Sequence, residues 1–102
     1  NNCAIGNAYP TFEEGRKYLA PGLFGPCGYG LPSIQGAKIG KPDVPVVGFA
    51  GDGAFGISMN EMTAIGRDEW PAITMVIFRN YQWAPKNATR RSGITTISWA
   101  PN

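Results

Sequence analysis

Two apolar runs dominate the chain, and each ends abruptly on polar residues. Residues 44–50, Val-Pro-Val-Val-Gly-Phe-Ala, lead straight into Gly51-Asp52-Gly53. Residues 73–78, Ile-Thr-Met-Val-Ile-Phe, deliver Arg79-Asn80. Short runs of this kind, rich in β-branched residues and bounded by turn residues, predict buried strands. Between them, Met59, Met62 and Ile65 recur every three residues, as on the buried side of a short helix. Asp68-Glu69 precedes Trp70-Pro71, where the chain must turn before the second run. Strand, glycine-rich turn, helix, strand is a βαβ unit, so the pattern predicts an α/β fold: a parallel sheet with flanking helices. Upstream, Pro32 suits the first turn of a helix running through Ile34 and Ala37 to Ile39, closed by Gly40. Asp52 and Asn80 then fall at the carboxyl ends of the two strands, the edge at which parallel sheets bind ligands.

That placement gives the polar residues a chemistry. Glycines at 51 and 53 allow positive φ and let backbone amides approach an anion closely. Asp52 supplies a carboxylate suited to a hard cation, and Asn80 a neutral carbonyl oxygen. Mg²⁺ accepts this mixture when a phosphate provides its other ligands. A helix beginning just after Gly53 would direct its N-terminal dipole at a diphosphate. Taken singly, Asp-Gly is a common turn and Asn a common strand ending. Their occurrence together, each at a strand end, favours the ligand reading.

Composition narrows the alternatives. A chain of 102 residues supports one small domain at most. Fourteen glycines and nine prolines mark it as loop-rich. It opens on Asn1, without Met, and reads as a piece of something longer. The formal charge of +2 is too small and too scattered to argue for nucleic acid. No apolar stretch is long enough to predict a membrane span, and no secretory signal opens the chain, so a cytoplasmic protein is expected. Cys3 and Cys27 form no metal-spaced pair and are read as reduced thiols. The absence of His excludes the usual zinc sites and both Ser-His-Asp and Cys-His catalysis. No Gly-Lys-Ser or Gly-Lys-Thr is present, which excludes a P-loop. Gly28-Tyr29-Gly30-Leu31-Pro32-Ser33 departs from the dinucleotide fingerprint in its last residue, and no clear strand precedes it. Glu13-Glu14 beside Arg16-Lys17 predicts a solvated helical turn, and Glu61 a surface or capping residue of the helix after the Gly-Asp-Gly turn.

Gly51-Asp52-Gly53 closed by Asn80 resembles the cofactor motif of thiamine diphosphate enzymes, and Gly25-Pro26-Cys27-Gly28-Tyr29-Gly30-Leu31-Pro32 resembles the segment that packs under the cofactor's aminopyrimidine. The resemblance implies part of the diphosphate-binding (PP) domain. It implies cofactor contacts from Cys27, Gly28, Gly51, Asp52, Gly53, Ala54, Phe55, Asn80 and Gln82. It also implies Mg²⁺ ligation by Asp52, Asn80 and the main-chain carbonyl of Gln82. Two departures stand out: Arg79 replaces the first residue of the usual Asn-Asn, and Cys27 replaces the larger apolar residue that wedges the cofactor into its bent form.

Residues 18–30, 55–62 and 78–83 are similar, more narrowly, to the sulfoacetaldehyde acetyltransferase family, and the resemblance runs without a gap from Asn1 to Trp83. It implies conversion of sulfoacetaldehyde and phosphate into acetyl phosphate and sulfite, a step of taurine and sulfonate degradation, with a second subunit in a homo-oligomer. The glutamate that activates the cofactor in such enzymes is expected outside these residues, on the partner subunit, so no catalytic residue is assigned here. Arg79 is a candidate for the sulfonate. An acetolactate synthase-like enzyme is the runner-up, sharing only the generic cofactor positions.

Residues 84–102 lack a clear apolar period and are rich in Thr, Ser, Arg and Pro. Restoring one G after the Trp83 codon lets suitable codons for this stretch read Gly-Ala-Glu-Lys-Arg-Asn and onward, which resembles the family's own continuation. The expectation is a partial thiamine diphosphate and magnesium binding domain at 1–83, followed by a frameshifted or disordered tail at 84–102. The alternative is that the polypeptide itself is a non-catalytic truncated remnant of an active parent.

Overall fold

The computed structural model of the chain describes residues 2–15, 17–67, 69–80 and 93–99. Its centre is a three-stranded sheet in the order β1-β2-β3, with β1 at Val47–Gly51, β2 at Ile73–Arg79 and β3 at Gly93–Trp99. β1 and β2 are parallel, in the register Gly48↔Met75, Ala50↔Ile77 and Gly51↔Phe78. The expected βαβ unit is therefore present. β3 runs antiparallel to β2, pairing Ile97 with Met75 and Gly93 with Arg79, so the sheet is mixed. β3 also gives regular structure to part of a stretch whose sequence predicted none. Its β-branched residues, Ile94, Thr95, Thr96 and Ile97, suit a pleated strand even without an apolar period. Residues 84–92 and 100–102 lie outside the described residues.

β1 is shorter than the apolar run that predicts it. Pro45 has no N–H to give to a ladder, and regular pairing begins at Val47, although the Val46 carbonyl already accepts from the Thr74 amide at 3.2 Å. The strand is also covered unequally on its two faces. Gly48 and Ala50 are buried, while Val47 and Phe49 on the other face are 55% and 39% exposed. β2 alternates in the same sense, with Ile73, Met75 and Ile77 buried and Phe78 exposed.

The covered face is closed by α2, Gly30–Gly40. Its start matches the expected helix, with Pro32 in the first turn, where its missing N–H costs nothing. Leu31, Ile34, Gln35 and Lys38 form its buried stripe, at the i, i+3, i+4, i+7 spacing of one helix face. Leu31 and Ile34 join Ala50, Phe55, Ile65, Ile73, Met75 and Ile77 in a single core, with Ile97 packed against it. Ile39 points away and is exposed.

The segment between β1 and β2 is broken rather than one helix. It comprises α3 (Asp52–Ile57), a 3₁₀ turn (Met59–Glu61) and α4 (Met62–Ile65). Of the three residues expected to be buried, only Ile65 is; Met62 is half-buried and Met59 exposed. Met59 opens the 3₁₀ turn whereas Met62 and Ile65 belong to α4, so the three do not lie on one continuous helix and share no single face.

On the opposite face of the sheet, α1 (Asn2–Ala8), which the hydrophobic pattern did not reveal, brings Gly6 beside the Phe49 ring and the Tyr18 hydroxyl. The Tyr18 ring stacks on Phe12, centroids 5.4 Å apart. Glu13 and Glu14 lie in a turn outside any helix, correcting the expected helical turn, and Glu14 pairs with Lys17 at 3.0 Å on the surface. The turn before β2 is where Trp70-Pro71 predicts it, with the Trp70 amide donating to the Arg67 carbonyl. No helix among the described residues is long and apolar enough to cross a membrane.

Candidate functional site

The parallel register positions the site. Gly51, the last residue of β1, sits opposite Phe78, so Asp52 and Asn80 follow their strands at the same edge of the sheet. Gly51 is extended (φ −74°, ψ 160°), and Asp52 is already the first residue of α3. The turn therefore needs no positive φ at 51 or 53, contrary to the sequence expectation; among the described residues that conformation belongs to Gly22, Gly25 and Gly28. The strand passes directly into the helix. What Gly51 and Gly53 contribute is the absence of a side chain on either flank of Asp52.

Asp52 is half-buried, and its Oδ1 accepts from the Gly53 amide at 3.1 Å. That bond orients the carboxylate at the helix N-terminus, where negative charge is favoured. Ala54 is half-buried and Phe55 buried in the core, so α3 is anchored from one side. Asn80 is half-buried and directly follows β2, while Arg79, the last residue of that strand, is exposed. Gln82 lies outside the described residues.

The second expected segment reaches the same side of the sheet through α2. Gly30, at the start of that helix, lies against the last part of β1: a Cβ there would be 3.4 Å from the Phe49 carbonyl oxygen and 3.8 Å from the Ala50 Cβ. Just upstream, Cys27 is exposed and Gly28 is buried with φ +91°. The Gly28 carbonyl accepts from the Ser58 hydroxyl immediately after α3. The loop at 27–28 and Asp52 are thus linked by one six-residue helix, a span of about 9 Å.

The donor set at this edge fits a hard cation carried with a diphosphate. It holds one carboxylate and one side-chain amide on adjacent strand ends, flanked by residues without side chains. Among the described residues there is no group of three or more His, Cys, Asp or Glu side chains that could hold a metal by themselves. A cation bound here would therefore need ligands from a phosphate or the backbone. A surface depression of about 300 Å³ lined by Ile39, Pro42, Glu69, Trp70 and Pro71 lies at the opposite end of the strands and contributes nothing to this edge.

Three buried polar residues escaped the sequence reading, of which Lys38 bonds near the far end of β1. Gln35 and Lys38 are buried on α2, where Gln35 Nε2 donates to the Glu61 carbonyl at 3.0 Å and Lys38 Nζ to the Val44 carbonyl at 2.9 Å. Their spacing from Leu31 and Ile34 was the available signal, hidden by their polarity. Ser58 carried no local signal.

A protein of Rhizobium meliloti (strain 1021) named "Probable sulfoacetaldehyde acetyltransferase" is 89% identical over 83 residues, covering 81% of this chain and 14% of that protein. The sulfoacetaldehyde acetyltransferase of Roseovarius nubinhibens is 83% identical over the same coverage. A Nicotiana tabacum acetolactate synthase is more distant, 35% identical over 69 residues, covering 68% of this chain and 10% of that protein. The chain thus spans about 14% of the length of the two acetyltransferase relatives. No solved structure matches it. Residues 1–96 match the family model described as thiamine pyrophosphate enzyme, C-terminal TPP binding domain. With the strand-end geometry and this match in hand, the chain belongs to the thiamine pyrophosphate enzymes, as part of their C-terminal cofactor-binding domain.

Proposed function

We propose that the chain is the diphosphate-binding part of a thiamine diphosphate-dependent sulfoacetaldehyde acetyltransferase, which converts sulfoacetaldehyde and phosphate into acetyl phosphate and sulfite. The observation that carries the reading is the parallel pairing of Gly51 with Phe78, which sets Asp52 and Asn80 at one edge of the sheet. The relatives at 89% and 83% identity carry the acetyltransferase name, whereas the acetolactate synthase is 35% identical.

In this reading Asp52, Asn80 and the Gln82 carbonyl hold Mg²⁺, and Gly51, Gly53, Ala54 and Phe55 shape the diphosphate site at the start of α3. Cys27 and Gly28 lie against the aminopyrimidine. The bound cofactor supplies the carbanion chemistry that a two-carbon aldehyde needs, and these side chains anchor and orient it. A cytoplasmic homo-oligomer acting in sulfonate degradation is part of the same proposal. The remaining domains and a second subunit would supply the activating glutamate.

Sulfite release from sulfoacetaldehyde and phosphate by the intact protein tests the reading. Acetolactate formation from pyruvate, without sulfite release, would replace it with the runner-up.

The tail carries a second proposal: residues 84–102 are read from a shifted frame. The alignments with both acetyltransferases span 83 residues, as many as run from Asn1 to Trp83, which supports it, while the family model matches on to residue 96. β3 belongs to this stretch and pairs with β2 in the chain as it stands. Resequencing the source DNA across the Trp83 codon decides the matter. A restored G makes the chain a slice of an active enzyme, and a confirmed short frame makes it a non-catalytic remnant.

A further inference from the structure

We propose that Ser58 is a positioning residue that holds the 27–28 loop in place for the heterocyclic end of the cofactor; the proposal rests on the functional reading above. Ser58 is buried, and its hydroxyl donates to the Gly28 carbonyl at 2.5 Å across thirty positions of sequence. Gly28 has φ +91°, which L side chains rarely adopt. A Cβ at Gly28 would lie 2.6 Å from Ser58 Oγ and 2.8 Å from Ile57 Cγ2. The loop backbone is therefore pressed onto the end of α3 with no side chain between them. With its carbonyl drawn toward Ser58, the Gly28 peptide plane cannot rotate without leaving a buried acceptor unpaired.

The same helix begins at Asp52. One rigid turn and a half of helix thus carries the proposed metal ligand at its first residue and the anchor of the loop directly after its last. This sets the distance between two ends of an elongated ligand, an anionic diphosphate at Asp52 and a planar heterocycle at Cys27-Gly28. Ser58 acts through Gly28 on the heterocycle end, and the metal end does not depend on it.

The test is calorimetric binding, in Mg²⁺, of thiamine diphosphate and of inorganic pyrophosphate to the intact protein and its variants. Ser58→Ala is expected to weaken thiamine diphosphate binding about tenfold, the scale of one buried hydrogen bond, and to leave pyrophosphate binding unchanged. Ser58→Thr keeps the hydroxyl and is expected to restore affinity. Gly28→Ala approaches the same contact from the loop and is expected to show the same selective loss. Unchanged thiamine diphosphate binding in Ser58→Ala, or an equal loss of both ligands in Ser58→Ala and Gly28→Ala, overturns the proposal; the second result makes Ser58 a general support of α3. Wild-type protein that binds neither ligand overturns the functional reading instead.

Discussion

Ile34 lies so close over Gly48 that a Cβ built on the glycine would sit 2.6 Å from the Ile34 Cγ2. The Met75 sulfur, at 2.9 Å from the same point, closes the other side. This contact lets α2 approach β1 and places the N-terminus of α2 over the ligand edge. Gly48→Ala is accordingly expected to destabilise the fold by about 1–3 kcal/mol, the usual cost of overpacking, despite the better strand propensity of alanine. A thermal melt of the variant checks it, and an unchanged or raised midpoint would show that Ile34 can move aside.

The buried amide of Gln35 ties α2 to the 3₁₀ turn through the Glu61 carbonyl. Gln35→Leu keeps the apolar packing but leaves that acceptor without its side-chain donor. A loss of about 1–2 kcal/mol is expected from an unmet buried hydrogen bond. Amide exchange at Glu61, whose N–H donates to the Ser58 carbonyl, should speed up in step. Exchange that stays slow while stability falls would place the effect in the core instead.

Asp52 and Asn80 are expected to act together on one ion. In the intact protein, Asp52→Ala and Asn80→Ala should each lower Mg²⁺-dependent cofactor affinity by more than about 100-fold, since losing even an outer-shell partner of a metal commonly costs 10–100-fold. Chelation of the metal from wild-type protein should release the cofactor to the same extent. Either variant binding the cofactor as wild type does would remove that residue from the metal site.

Cys27 is exposed, and it stands where the resemblance implies a larger apolar residue. Cys27→Met should be tolerated, with cofactor affinity unchanged or raised, if a larger side chain only completes the wedge. Loss of cofactor binding, followed by equilibrium dialysis, would mean that the pocket is shaped around a small residue.

β1, β2, their parallel pairing and the start of α2 were legible in the sequence because each is a local signal, whereas β3 was not. Apolar runs, a proline at a first helical turn and glycines after a strand all act over a few residues. The candidate residues Asp52 and Asn80 were found in the same way, each as the polar residue ending an apolar run. Local patterns also misled, as Met59 shows: its spacing from Met62 and Ile65 suggested a buried helix face, yet a 3₁₀ turn leaves it exposed.

By itself, then, the sequence determined the βαβ order, the family and the placing of Asp52 and Asn80 at one edge of the sheet, since these depend on residue type and short-range periodicity. Tertiary structure alone decided which face of β1 is covered, the conformation of Gly51, and the partnership of Ser58 with Gly28. The physical reason is sequence distance. A hydroxyl meets a carbonyl thirty positions away only after α2 has packed on the sheet, and nothing local to either residue encodes the meeting.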